Sequence, residues 1–245
     1  MKRLALLLIL MIIITGCQKE NAAKENTTYE IPTEWIALVA DEEQISIDDL
    51  QKWLDENLES QPEEIKHKLL ADFGKAVILS SKSNEDVLYA LKPYESSGSQ
   101  TFMEYIKLIE MEQEKPLLED NFGPETIVER LDRAVLMSQT IRNGDGTFLL
   151  TMQKMFAMYL EGALGGMGNI YNYTDLEGKI LPEAMEIWRE QSETNEEPLV
   201  IETLNMHLKV MKDAESLVNN EIVQRYLTNL RDYMQGQSEK LIPSN

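Results

Sequence analysis

Residues 198–236, PLVIETLNMHLKVMKDAESLVNNEIVQRYLTNLRDYMQG, decide the fold class. Between Pro198 and Gly236 there is no further proline or glycine. Val200, Leu204, Leu208, Met211, Val218, Ile222, Tyr226 and Leu230 recur at steps of three and four, with one seven-residue step across Ala214. That is the period of an apolar stripe on an α-helix. One unbroken helix of this length would run about 55 Å. Asn219-Asn220 is the expected place for a kink or hairpin if the domain is compact.

The pattern continues toward the N-terminus. Pro182 to Gln191 reads as a modest helix containing Trp188, and glycine concentrates before it in Gly162 to Gly168, where the helical run is expected to break. Phe148 to Leu160 (FLLTMQKMFAMYL) is the most apolar segment of the folded part and is expected at the centre of the core. A helix from Pro124 through Ile127, Leu131, Val135 and Ile141 ends at the turn Asn143-Gly144-Asp145-Gly146. Another carries Phe102, Tyr105, Ile106 and Ile109 and is stopped by Pro116. A short one holds Val87, Leu88 and Leu91, and a longer one opens at Pro62-Glu63-Glu64 and extends through Ile65, Leu69, Phe73 and Val77 to a break at Ser80 to Asn84. Proline and acidic groups both suit a first helical turn, the first because its missing N–H has no partner there anyway. Ser46 to Asp49 (SIDD) has capping-box spacing before Ile47, Leu50, Leu54 and Leu58. Trp35 to Val39 (WIALV) is the one strand candidate. The expected fold is therefore mainly α, an irregular multi-helix bundle with at most one short strand pair near the start of the folded body. No internal repeat of fixed period is present.

The first residues give an address. Lys2 and Arg3 are basic, Leu4 to Ile14 is an unbroken apolar run, and Thr15-Gly16 precede Cys17, the chain's only cysteine. This is the layout of a secretory signal peptide, and the run is short of the roughly 20 residues that span a bilayer. Ile14-Thr15-Gly16-Cys17 resembles the lipobox of bacterial lipoproteins. The resemblance implies cleavage before Cys17 and a diacylglyceryl thioether on it, with palmitate-type acylation, and hence extracytoplasmic anchoring to a bacterial membrane by lipid. The expected organisation is a signal peptide at 1–16, a lipidated Cys17 with a tether over 17–33, and a helical extracytoplasmic domain over 34–245. Gln18 to Thr28 (QKENAAKENTT) is too polar to fold alone, and these eleven residues reach at most about 35–40 Å.

Charge restricts the partners. The full chain has 23 basic and 43 acidic side chains, net −20, and loss of Lys2 and Arg3 takes it to −22. Phospholipid headgroups, wall polyanions and nucleic acid would all be repelled. Contact with the membrane would then come through the lipid on Cys17, no nucleic-acid partner is expected, and a protein of the envelope is the expected partner. With Cys17 consumed there is no thiol nucleophile, disulfide or thiolate metal site.

Three stretches and the two histidines are the candidate sites. Gly162 to Ile170 (GALGGMGNI) resembles part of the lytic transglycosylase signature, with Gly162, Ala163, Gly165 and Met167 matching and Gly168 in place of the family's glutamine. In that family the catalytic glutamate stands about ten residues upstream, where Leu149 to Phe156 holds no carboxylate; Glu161 adjoins the glycines instead. Asp175 to Ile180 (DLEGKI) has the middle of a calcium loop, but its first and last ligand positions would be Tyr173 and Ala184. Met152, Met155 and Met158 have the spacing of thioether ligands for monovalent copper and equally that of core-filling residues on one helix face. His67 and His207, the only histidines, lack metal-ligand spacing. The reading is no catalytic set, no metal and no cofactor, with Cys17 as the one assigned site.

The opening of the folded part, Trp35 to Leu54 with the turn Asp41-Glu42-Glu43, resembles the start of the N-terminal domain of secreted parvulin-type foldases and related periplasmic chaperones. It implies a module that holds secreted chains. The scarcity of strands disfavours a bilobed solute-binding lipoprotein. The leading expectation is a non-enzymatic accessory or protein-interaction role in the envelope. A chaperone-like module and a peptidoglycan-active hydrolase are the alternatives.

Overall fold

In the computed structural model the described residues are 30–40, 45–81, 83–118, 123–165 and 173–242. Among them lie eleven α-helices and no strand, apart from isolated antiparallel bridges at Thr174–Ile180 and Lys179–Leu217. The helices are α1 (Thr33–Val39), α2 (Ile47–Asn57), α3 (Glu63–Ser80), α4 (Asn84–Leu91), α5 (Gln100–Glu114), α6 (Ile127–Asn143), α7 (Leu149–Gly165), α8 (Pro182–Thr194), α9 (Pro198–Asp213), α10 (Glu221–Thr228) and α11 (Leu230–Ser238). The mainly α multi-helix fold is the one read from the sequence. Cys17, the expected signal peptide and residues 17–29 of the expected tether lie outside the described residues, and Thr33, the last residue expected in the tether, opens α1. Ile31 onward is one compact unit.

Helix starts follow local chemistry. Ser46, Ser83 and Ser99 each accept a hydrogen bond from the backbone N–H three residues on, which satisfies a donor that the first turn leaves open. Trp35 to Val39, the expected strand, is helical. No strand stands among the described residues to pair with it, whereas a helix satisfies its own backbone, beginning with Ile36 N–H donating to the Pro32 carbonyl at 3.1 Å. Trp35 is the buried residue of α1. Its ring lies 5.2 Å from that of Trp53, and its Nε1–H donates to Asp72 Oδ2 at 3.2 Å. Burial raises the Asp72 carboxyl above its ordinary pKa, partly offset by that bond.

The centre of the core is α7, as its composition leads one to expect. Met152, Phe156, Tyr159, Leu160, Ala163 and Leu164 are all buried there. It packs most extensively on α6, its neighbour across the turn at 144–148, and then on α11. At that turn Phe148 adopts φ +57°, unusual for a residue with a Cβ. Its ring lies 4.7 Å from Tyr105 and 5.8 Å from Phe102, and a Cβ on Gly74 would come within 2.3 Å of it. The glycine of α3 is what lets that ring in.

Two boundaries differ from the pattern. α7 continues through Gly162 to Gly165 instead of breaking at Gly162. The stretch 198–236 is three helices. α9 stops at Asp213, Glu215 and Ser216 take φ of +54° and +61°, and Asn220 caps α10 by accepting from Ile222 N–H at 2.9 Å. Asn219-Asn220 thus marks the end of the break, which begins at Ala214. A single residue, Asn229, separates α10 from α11.

Candidate functional site

The C-terminal helices form an open groove of about 530 Å³, lined by Met206 of α9, by Glu221, Ile222, Arg225 and Tyr226 of α10, by Asn229, and by Leu230 and Tyr233 of α11. Its origin is an imbalance within α10. This helix is strongly amphipathic, yet Val223 is its only buried residue. Ile222 is 61% exposed and Tyr233 42%, so apolar surface faces water along the groove. Glu221 and Arg225 pair across one turn at 3.2 Å and are both exposed.

Behind the groove stands His207, fully buried. Its Nδ1 is 3.1 Å from the Tyr226 hydroxyl, and its ring meets Trp188 edge-on at 4.4 Å. Trp188 is fixed in turn by donating Nε1–H to the Ala163 carbonyl at 2.9 Å and by an edge contact with Tyr173 at 5.9 Å. His207 Nε2 has no hydrogen-bond partner among the described residues. Burial alone holds the imidazole pKa down at about 3, so the ring is neutral at pH 7. The same cause raises the Tyr226 phenol above its ordinary value.

A second polar cluster is sealed in the core. Glu112 and Arg133 are both buried and ion-paired. Glu112 Oε1 also accepts from the Tyr159 hydroxyl at 2.7 Å, and Oε2 accepts from the N–H groups of Leu117 and Leu118 at 3.1 and 3.3 Å. Arg133 Nη2 donates to the carbonyls of Met111 and Lys115 at 3.2 and 3.0 Å and to Glu129. The pair therefore ties off the C-terminal end of α5 against α6 and α7. Nearby, Glu197 accepts from Ser138 at 2.8 Å, Arg142 at 2.6 Å and Leu199 N–H at 3.2 Å, which caps α9 and joins it to α6.

The stretches singled out in the sequence take structural places. Glu161 is buried and its carboxylate accepts from Arg231 Nε. The Gly162 carbonyl accepts from Arg130 Nη1 at 2.6 Å and from the Tyr173 hydroxyl, and a Cβ on Gly162 would come within 2.7 Å of Arg130. These glycines are close-packing positions inside a helix; Met167 and Gly168 lie outside the described residues. Asp175 closes a turn by accepting from Glu177 and Lys179 N–H at 2.9 Å each, with Gly178 at φ +77°. Tyr173 and Ala184 are buried. Met152 and Met155 are buried in the core and Met158 is half-buried. His67, on α3, is half-buried, and among the described residues no group of three or more potential metal ligands occurs. Sequence reasoning missed Glu112, Arg133 and Glu197. Only the placing of Glu112, Arg133 and Glu129 in helical registers facing one another could have signalled the cluster, and that is a tertiary relation. No helix among the described residues is long and apolar enough to cross a membrane.

The described structure is thus a multi-helix bundle with a part-apolar groove over its last three helices. Compared with known proteins, no family model, curated protein or solved structure matches the chain.

Proposed function

We propose that this chain is a lipid-anchored extracytoplasmic protein with a non-enzymatic accessory role in the cell envelope, held to the membrane through Cys17 and binding a protein partner. The groove over α9, α10 and α11 carries this reading, because exposed apolar surface beside polar rim groups is what a binding face requires. The lipobox-like residues 14–17 supply the anchor, and the net charge of −20 leaves the lipid as the means of membrane contact. His207 is walled in by Trp188 and Tyr226, and Glu161 is engaged by Arg231, which supports a role outside catalysis.

The test is crosslinking in intact cells of the producing organism, capture of the protein and mass spectrometry, with Cys17→Ala as control. The expected result is one abundant partner that depends on the anchor, with lipid labelling lost and precursor accumulating in the variant. Normal processing of Cys17→Ala overturns the anchor. Capture of no protein overturns the partner reading. The same groove also favours a second reading, a chaperone-like holder of secreted chains, which capture of many unrelated secreted proteins would establish instead.

A further inference from the structure

We infer that Asn143 is a site of spontaneous covalent modification, where the chain's own backbone converts the side-chain amide to aspartate and isoaspartate. Asn143-Gly144 is the one Asn-Gly step in the sequence. Glycine leaves its own nitrogen the most open to reaction, because it has no Cβ to crowd it. Packing imposes the glycine here: a Cβ at position 144 would stand 2.5 Å from the Thr140 carbonyl oxygen and 2.6 Å from Thr101 Oγ1. Both reacting groups are free. Asn143, the last residue of α6, is exposed, and its side chain makes no hydrogen bond among the described residues. After α3 and α5 the next N–H closes back on the last turn, from Ser81 to the Val77 carbonyl at 2.8 Å and from Lys115 to the Met111 carbonyl at 3.0 Å. The Gly144 N–H donates to no group among the described residues.

The chemistry needs only water. The Gly144 nitrogen gives its proton to hydroxide and attacks Asn143 Cγ. A C–N bond forms, the bond to the side-chain nitrogen breaks, and that nitrogen takes a proton and leaves as ammonia. Water then opens the succinimide at one of its two carbonyl carbons. Opening on one side gives aspartate; opening on the other gives isoaspartate, whose main chain runs through Cγ. Nothing is oxidised or reduced. The adjacent Asp145-Gly146 step has the same shape but is protected. Asp145 Oδ1 accepts from Thr147 N–H at 2.9 Å. Burial raises the Asp145 carboxyl, and hydrogen bonds with Ser99, Thr147 and Thr101 outweigh it, holding the group ionised below its ordinary pKa. An ionised carboxylate offers the peptide nitrogen no leaving group.

The product falls at a sensitive joint. Its new negative charge stands at the C-terminal end of α6, where the helix dipole opposes it. The neighbouring cation, Arg142, is already engaged by Glu197. Isoaspartate also inserts a main-chain carbon just before the turn that sets the Phe148 ring against Tyr105 and Phe102. The modification therefore loosens the packing of α6 and α7 as the molecule ages.

The test incubates the full chain in mildly alkaline heavy-oxygen water and reads it by peptide mass spectrometry and isoaspartate-specific methylation. Asn143→Gln and Asn143→Asp serve as controls, both at an exposed position. Asn143 is expected to convert at least about tenfold faster than any other described asparagine, a barrier difference of about 1.4 kcal/mol. Each event should incorporate heavy oxygen, and the Asn143→Gln chain should stay unchanged at this position. Conversion in the urea-unfolded chain but not in the folded one, or equal conversion at another described asparagine, overturns the inference. The separated isoaspartyl form is expected to unfold at lower urea than Asn143→Asp. Equal midpoints overturn the link to the Phe148 turn.

Discussion

The two polar centres of this bundle are built in opposite ways. Around Glu112 and Arg133 both carboxylate oxygens and both terminal guanidinium nitrogens are occupied, partly by backbone groups at the end of α5, and only Arg133 Nε is left over. Around His207 one ring nitrogen is bonded and the other finds no partner among the described residues, and the bonded partner, Tyr226, itself lines the groove. The first arrangement spends its hydrogen bonds on joining helices and has nothing to offer a ligand. The second holds a neutral, unfilled group beside exposed apolar surface. The contrast shows that burial of charge marks the joints of this molecule, whereas the proposed binding face is marked by exposed apolar side chains.

The largest effect is expected at the sealed centre. Arg133→Leu leaves Glu112 as a buried charge without its cation, at a cost of about 3–5 kcal/mol. The double variant Glu112→Leu/Arg133→Leu is expected to be less damaged than the single one, because no lone charge remains. Urea unfolding measures both, and a loss under about 1 kcal/mol for Arg133→Leu would erase the distinction between the two centres.

His207 sharpens the contrast through pH. Its folded pKa of about 3 lies below the ordinary 6.5, so the unfolded chain binds the proton more readily. The stability it contributes is complete above the unfolded value and is lost as pH falls toward the folded one. Between pH of about 6.5 and about 4.5 the natural chain is expected to lose about 2 kcal/mol relative to His207→Phe. Parallel pH profiles for the two proteins would mean that His207 is hydrated or partnered after all.

The smallest effect on stability is expected in the groove. Ile222 is 61% exposed, so Ile222→Asp should change unfolding free energy by no more than about 0.5 kcal/mol. A larger destabilisation would make the groove part of the core and remove the contrast with the Glu112 centre.

Much of the fold was legible because helix signals are local. Ser46 ahead of Asp49, Pro62 before Glu63-Glu64, Pro182 and Pro198 act within a single turn, and a helix begins at each of them. The misread pieces are those where distant residues decide. Trp35 is held by Trp53 and Asp72, and Gly162 stays helical because Arg130 packs against it. The site was scarcely legible, since Ile222, Tyr226 and Leu230 have the same spacing as the core residues before them, and spacing does not tell which face is covered.

The sequence by itself determined the helical class, most helix starts, the acidic balance and the lipobox-like opening, because propensity, capping and charge are written within a few residues. Tertiary structure alone decided that Glu112 meets Arg133 across 21 positions and Glu197 meets Ser138 across 59. It also decided that Met211 is sealed while Ile222, on the same periodic stripe, is left facing water. A helix repeats its own geometry every few residues, but which of its faces finds a neighbour depends on where every other helix comes to rest.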